Sequence, residues 1–105
     1  MSKAILTIDD VASKNTPAIV DYLCEKKIKA VLFAVGENVE KYFDEAVYTL
    51  QKGMVIGNHS YSHKAFGKLS LAEGIAEIEK NEKVLERLYK KAGVKRAVKV
   101  FRFQA

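Results

Sequence analysis

An α/β fold with parallel strands, in the order βαβαβαβ, is what this 105-residue chain predicts. Three observations carry the prediction. Apolar stretches of four to six residues alternate along the chain with longer segments of helical periodicity. The short stretches are continuous rather than alternating, as strands covered on both faces require. Thr16-Pro17, Gly53 and Gly93 stand where the predicted helices begin or end.

Ala4-Ile5-Leu6-Thr7-Ile8 is the first strand, and it ends in Asp9-Asp10. Thr16 then supplies an N-cap and Pro17 the first helical position, with Val20, Leu23, Cys24 and Ile28 following at helical spacing. Cys24, between Leu23 and Ile28, reads as a small buried hydrophobe. Ala30 to Val35 is a second apolar strand, closed by Gly36. A helix from about Glu37 to Lys52 carries Val39, Tyr42, Phe43, Ala46, Val47 and Leu50 on one face, and Gly53 ends it. Met54 to Gly57 is a third strand, followed by a loop from Asn58 to Lys68. Ser70 opens the longest helix, with Glu73 completing a capping box. Leu71, Ile75, Ile78, Val84, Leu85 and Leu88 supply its apolar face, and Gly93 stops it. Ala97 to Phe101 is a fourth strand. Right-handed crossovers join such strands, and sites lie at their carboxyl ends.

Composition narrows the function classes. Hydrophobic residues make up 49% and charged residues 30%, the balance of a globular chain and not of a disordered one. No apolar run approaches the ~18–20 residues of a membrane span, so no membrane partner is expected. The N-terminus lacks the apolar core of a signal peptide, and as it stands the chain reads as cytoplasmic. Cys24 is the only cysteine, which excludes an intrachain disulfide and a cysteine-based zinc site. The net charge of +5 comes from basic residues spread over predicted helix ends, where cations complement the helix dipole. With no recognition motif and no aromatic stacking platform, no nucleic-acid partner is expected.

Three of the four strand ends carry unusual polar groups: Asp9-Asp10, then Asn58-His59-Ser60-Tyr61-Ser62-His63, then Arg102. Both histidines of the chain lie in the middle segment, spaced i, i+4. On a helical turn that spacing sets the imidazoles on one side, about 5–6 Å apart at Cβ. Neutral imidazoles suit zinc, cobalt, nickel or iron. A carboxylate from a neighbouring strand end would complete a His-His-Asp set with an open position, as catalytic metals have. Each part alone also fits a surface or capping role. An acidic pair after strand one occurs in phosphoryl-accepting receiver domains, but Gly57-Asn58 stands where those need an Asp. The Asp-x-Asp of haloacid-dehalogenase-type phosphatases is not met either. A phosphate-binding loop and a nucleophile elbow are both missing.

Taken together, Thr-Ile-Asp-Asp, His-Ser-Tyr-Ser-His and Phe-Arg-Phe, in that order, resemble the motifs of the polysaccharide deacetylase family, the NodB-type domain of carbohydrate esterase family four. That family carries Thr-Phe-Asp-Asp-Gly, His-(Ser/Thr)-x-x-His and a motif near Phe-Arg-x-Pro. The stretch from Ala30 to Glu40, with its Val-Gly-Glu-Asn, also looks like the family's second strand and its continuation. The resemblance implies Asp10, His59 and His63 as ligands of a divalent metal, zinc first, with cobalt, nickel or iron as other possibilities. It implies Asp9 as general base and Arg102 as the residue that holds it. Asn58 and Tyr61 would supply supporting or oxyanion contacts. The implied reaction removes N-acetyl groups from an amino-sugar glycan through a metal-bound water. A metal- or glycan-binding remnant without turnover is the alternative, as is a related hydrolase of a small amide.

Val11 stands where the family has Gly, and Gln104 where it has Pro. The family's later Asp-x-x-Asp-Trp and Leu-x-x-His segments have no counterpart, so the resemblance implies the N-terminal half of a distorted (β/α) barrel. Four strands leave an open sheet edge, which a homodimer would cover.

Overall fold

The computed structural model describes residues 6–62 and 69–102. Three parallel strands form one sheet in the order β1-β2-β3: β1 (Leu6–Val11), β2 (Ala30–Ala34) and β3 (Val55–Asn58). Helices α1 (Thr16–Glu25), α2 (Gly36–Lys41), α3 (Phe43–Gln51) and α4 (Leu71–Ala92) make up the rest. Each strand runs to its partner through a helix, as parallel pairing demands. Leu32, Ile56, Leu50, Leu85, Leu88, Val20 and Val39 form the centre of the core, all essentially shut off from solvent. No helix among the described residues is long and apolar enough to cross a membrane.

The predicted fourth strand shrinks to a single parallel bridge between Asn58 and Phe101. Its two hydrogen bonds run from Asn58 N–H to the Val100 carbonyl at 2.8 Å and from Arg102 N–H to the Asn58 carbonyl at 2.9 Å. Ala97, Val98 and Lys99 run exposed, so the apolar stretch has too little to bury against to build a ladder. Gly57 lets this segment come close: a Cβ there would lie 2.5 Å from Val100 Cγ2 and 3.0 Å from the Phe33 ring.

The helix expected over 37–52 is broken at Tyr42 (φ −120°, ψ 50°) into α2 and α3. Val39 and Ala46, on either side of the break, are both fully buried, so the apolar periodicity runs through it unchanged. In α1 the inward stripe is Thr16, Val20 and Leu23. Cys24, one position round from Leu23, is exposed rather than buried, with its Sγ 3.8 Å from the Lys52 carbonyl. The helix itself begins at Thr16 behind Asn15, and Thr16 Oγ1 accepts from the Ser13 N–H at 2.9 Å.

The α4 caps follow the sequence. Ser70 Oγ accepts from Glu73 N–H at 3.2 Å, the Glu73 carboxylate accepts from Ser70 N–H at 2.9 Å, and Gly93 closes the helix at φ 72°. Leu71 and Ile75, expected on the buried face, are 82% and 46% exposed. The reason is length. A four-residue strand such as β3 spans about 13 Å and a 22-residue helix about 33 Å, so α4 overhangs the sheet it covers.

Candidate active site

The acidic pair sits inside a β-bulge. Ile8 pairs with Leu32 and Val11 with Ala34, so Asp9 and Asp10 together oppose Phe33 alone. Asp10 takes the extra residue's conformation at φ 62°, a left-handed region that Asp enters more readily than most side chains. In a regular strand, neighbouring side chains point to opposite faces. The bulge re-aims them, so each acid meets one of two residues that are themselves joined.

Those residues are Arg102 and His59. Arg102 Nη1 donates to Asp9 Oδ1 at 2.9 Å and to Thr7 Oγ1 at 3.3 Å, and the guanidinium lies 4.5 Å over the Phe33 ring. Asp10 Oδ1 stands 3.3 Å from His59 Nε2. The loop closes on itself, because the Arg102 carbonyl accepts from His59 Nδ1 at 2.7 Å. A carbonyl only accepts, so this bond places a ring proton on Nδ1 and turns Nε2 towards Asp10. His59 is only 4% exposed, while the side chains of Asp9 and Asp10 are about half exposed. The site therefore opens to solvent on its acidic side.

The donor set fits a divalent cation. Two ligands of one tetrahedral zinc, with bonds of about 2.0–2.2 Å, stand roughly 3.3–3.6 Å apart. The 3.3 Å between His59 Nε2 and Asp10 Oδ1 meets that spacing. A carbonyl holding the other ring nitrogen is how metal-binding imidazoles are oriented. Of the sequence-predicted residues, the fold thus brings together Asp9, Asp10, His59 and Arg102. His63 lies outside the described residues, and among those described no three ligating side chains gather as a metal group. The right-handed helical turn envisaged for the His59–His63 spacing is not formed at its start, since Ser60 has φ 69°.

The side chains of Asn58 and Tyr61 make supporting contacts within the protein. Tyr61 donates its hydroxyl to Glu40, which is held in turn by Arg87 at 3.1 Å. Asn58, 1% exposed, spends its whole carboxamide on the protein. Its Nδ2 donates to the Ile78 carbonyl at 3.1 Å and to Glu82 Oε2 at 2.8 Å. Its Oδ1 accepts from Ser60 N–H at 2.8 Å and from Asn81 Nδ2 at 2.9 Å. Glu82 is also gripped by both Nη atoms of Arg96, at 3.0 and 2.9 Å. Burial pushes the Glu82 carboxyl up, but the hydrogen bonds from Arg96 and Asn58 outweigh it and hold the group below its usual 4.5.

Asn81, Glu82 and Arg96 were not among the sequence-derived candidates. The signal for Asn81 was present: a polar residue at the core-facing spacing between Ile78 and Leu85, where only a partnered group is tolerated.

Residues 2–103 match the model of a family described as polysaccharide deacetylase. Among curated proteins, the chain is 39% identical over 88 residues to a peptidoglycan-N-acetylglucosamine deacetylase of Bacillus cereus, covering 83% of this chain and 32% of that protein. It is 36% identical over 81 residues to chitin deacetylase 1 of Cryptococcus neoformans, covering 77% and 17%. A crystal structure of a peptidoglycan N-acetylglucosamine deacetylase, in complex with 4-naphthalen-1-yl-N-oxidanyl-benzamide, superposes with a TM-score of 0.76 at 40% identity, over 80% of this chain and 40% of that one. The chain spans a third or less of the length of these curated relatives.

Proposed function

Because the chain belongs to the polysaccharide deacetylase family, we propose that it carries the acidic and histidine ligands, the base and the arginine of a metal-dependent deacetylase acting on an N-acetylated glycan. One observation carries the reading: the closed circuit in which Arg102 holds Asp9 through its guanidinium and His59 through its carbonyl, while His59 faces Asp10. The relatives named above deacetylate peptidoglycan and chitin, which supports an amino-sugar polymer or oligosaccharide as substrate.

Asp10 and His59 would hold the cation, with His63 as the third ligand implied by the family motif. A divalent ion there would supply Lewis acidity to an acetamide carbonyl and to a water. Zinc suits two imidazoles and a carboxylate, as do cobalt, nickel and iron. Asp9, facing Arg102 rather than His59, is the carboxylate left to take a proton from the attacking water. Arg102 fixes the Asp9 carboxylate at the mouth of the site. The shut-in imidazole of His59 holds its ring in one orientation while the acids remain open to an incoming sugar.

The test is metal uptake by the intact chain, read by native mass spectrometry. One divalent ion per chain is expected, lost in His59→Ala and in Asp10→Ala. A wild-type chain that takes up no added zinc, cobalt or nickel overturns the reading. The same spectra bear on the sheet edge. Among the described residues β1 pairs only with β2, and we expect a second copy of the chain to cover its other side. A sharp monomer by sedimentation at micromolar concentration removes that expectation.

A further inference from the structure

Asn81 lies on α4, shut off from solvent and outside the circuit of acids, histidine and arginine. Its Nδ2 donates to the Ala34 carbonyl at 2.9 Å and to Asn58 Oδ1 at 2.9 Å. Both acceptors are shared. The Ala34 carbonyl also takes the His59 N–H at 3.1 Å, and Asn58 Oδ1 also takes the Ser60 N–H at 2.8 Å. One amide group therefore grips the two acceptors that fix the backbone immediately before and after the His59 side chain.

The other half of the carboxamide sharpens the point. Asn81 Oδ1 is buried and has no hydrogen-bond partner. It packs over Gly36, where a Cβ would come within 2.5 Å of it. A buried acceptor without a partner costs stability, and an apolar side chain of the same shape would avoid that cost. What the asparagine supplies that a leucine cannot is the pair of N–H donors.

We propose that Asn81 is a positioning residue for His59, its carboxamide clamping the ends of β2 and β3 so that Nδ1 meets the Arg102 carbonyl and Nε2 faces Asp10. The proposal rests on the reading of His59 as a metal ligand. It adds to that reading a residue of α4 that touches neither metal nor substrate.

The experiment compares wild type, Asn81→Ala and Leu88→Ala, the last an equally buried α4 residue without polar contacts. The folded state of each is verified by circular dichroism. Asn81→Ser, which keeps one donor, replaces the alanine variant if that one does not fold. Two readouts are taken: zinc affinity by calorimetry, and the tautomer of His59 in the metal-free protein by long-range ¹H–¹⁵N NMR. The expected result is zinc binding roughly 10- to 100-fold weaker in the Asn81 variant, the range for lost ligand support. The Nδ1–H form should give way to a mixture, with both readouts unchanged in Leu88→Ala. A folded Asn81 variant with the wild-type tautomer overturns the proposal, as does an equal change in Leu88→Ala. If wild type binds no zinc but the tautomer still shifts only in the Asn81 variant, the clamp stands and the metal reading falls.

Discussion

Asp9→Asn is expected to lower deacetylation of an N-acetylated oligosaccharide by about 10²–10⁴-fold, the usual contribution of a general base, and to leave divalent-metal uptake at the wild-type level. The separation of effects follows from where the two acids point. Asp10 faces His59 Nε2, whereas Asp9 is bound to Arg102 Nη1. Asparagine keeps the size of Asp9 and an oxygen able to accept from Arg102, so the guanidinium retains a partner. The Arg102 carbonyl then stays on His59 Nδ1, and the imidazole keeps its orientation. Asparagine cannot take a proton from water. Release of free amine and zinc uptake, measured on the same preparation, read the two properties side by side. Loss of metal together with activity would mean that Asp9 is itself part of the ligand set. A wild-type chain that binds zinc but releases no amine would favour a binding module over an enzyme.

Arg96→Ala is expected to destabilise the fold by about 3 kcal/mol, measured by urea unfolding at neutral pH. Arg96 and Glu82 form a two-pronged ion pair whose side chains are 8% and 18% exposed. Removing one partner of such a pair strands the other in a poorly solvated place, which is where the large cost of broken buried pairs arises. The partial exposure of Glu82 puts the expected value at the low end of that range. The alanine also uncovers the Tyr89 ring, over which the guanidinium sits at 5.5 Å. Replacing both partners, as Arg96→Met with Glu82→Gln, should recover most of the loss. The pH dependence has a definite sign. The folded Glu82 carboxyl lies below its usual 4.5, so its contribution is present above that pH and disappears as the pH falls through the lowered value. In Arg96→Ala the opposing effect of burial gains ground, and this acid-side loss of stability should flatten. An unaltered urea midpoint for Arg96→Ala would show the pair to be worth no more than a surface contact.

What could be read from the sequence divides along a physical line. Apolar stretches are local and strong, so β2, β3, the Val84, Leu85 and Leu88 part of the α4 stripe and both α4 caps were legible from residues a few positions apart. Asp9, Asp10, His59 and Arg102 could be picked out because they follow the apolar stretches, on the side where parallel sheets place their sites. Features decided by tertiary contact were not. The break at Tyr42 leaves the apolar pattern intact, and the exposure of Cys24 depends on which of two neighbouring residues the sheet receives. The fate of Ala97–Phe101 turned on how much surface lay opposite it. The bulge that turns Asp9 to Arg102 and Asp10 to His59 leaves no mark in the composition of β1. The support of His59 from α4 comes from Asn81, whose side chain reaches an acceptor 47 residues away in sequence.

The Asp9–Arg102 pair joins residues 93 positions apart. Parallel strands linked by helices already make early contacts distant in sequence, and such topologies assemble slowly. Here the distance is greater still, since the two partners come from the first and last described segments of the chain. The junction needs both segments in place, so no partly folded intermediate lacking the last segment can possess it. A cation bound at that junction would act as a latch on the whole chain: at a concentration a hundred times its dissociation constant, it would add about 2.7 kcal/mol to the folded state.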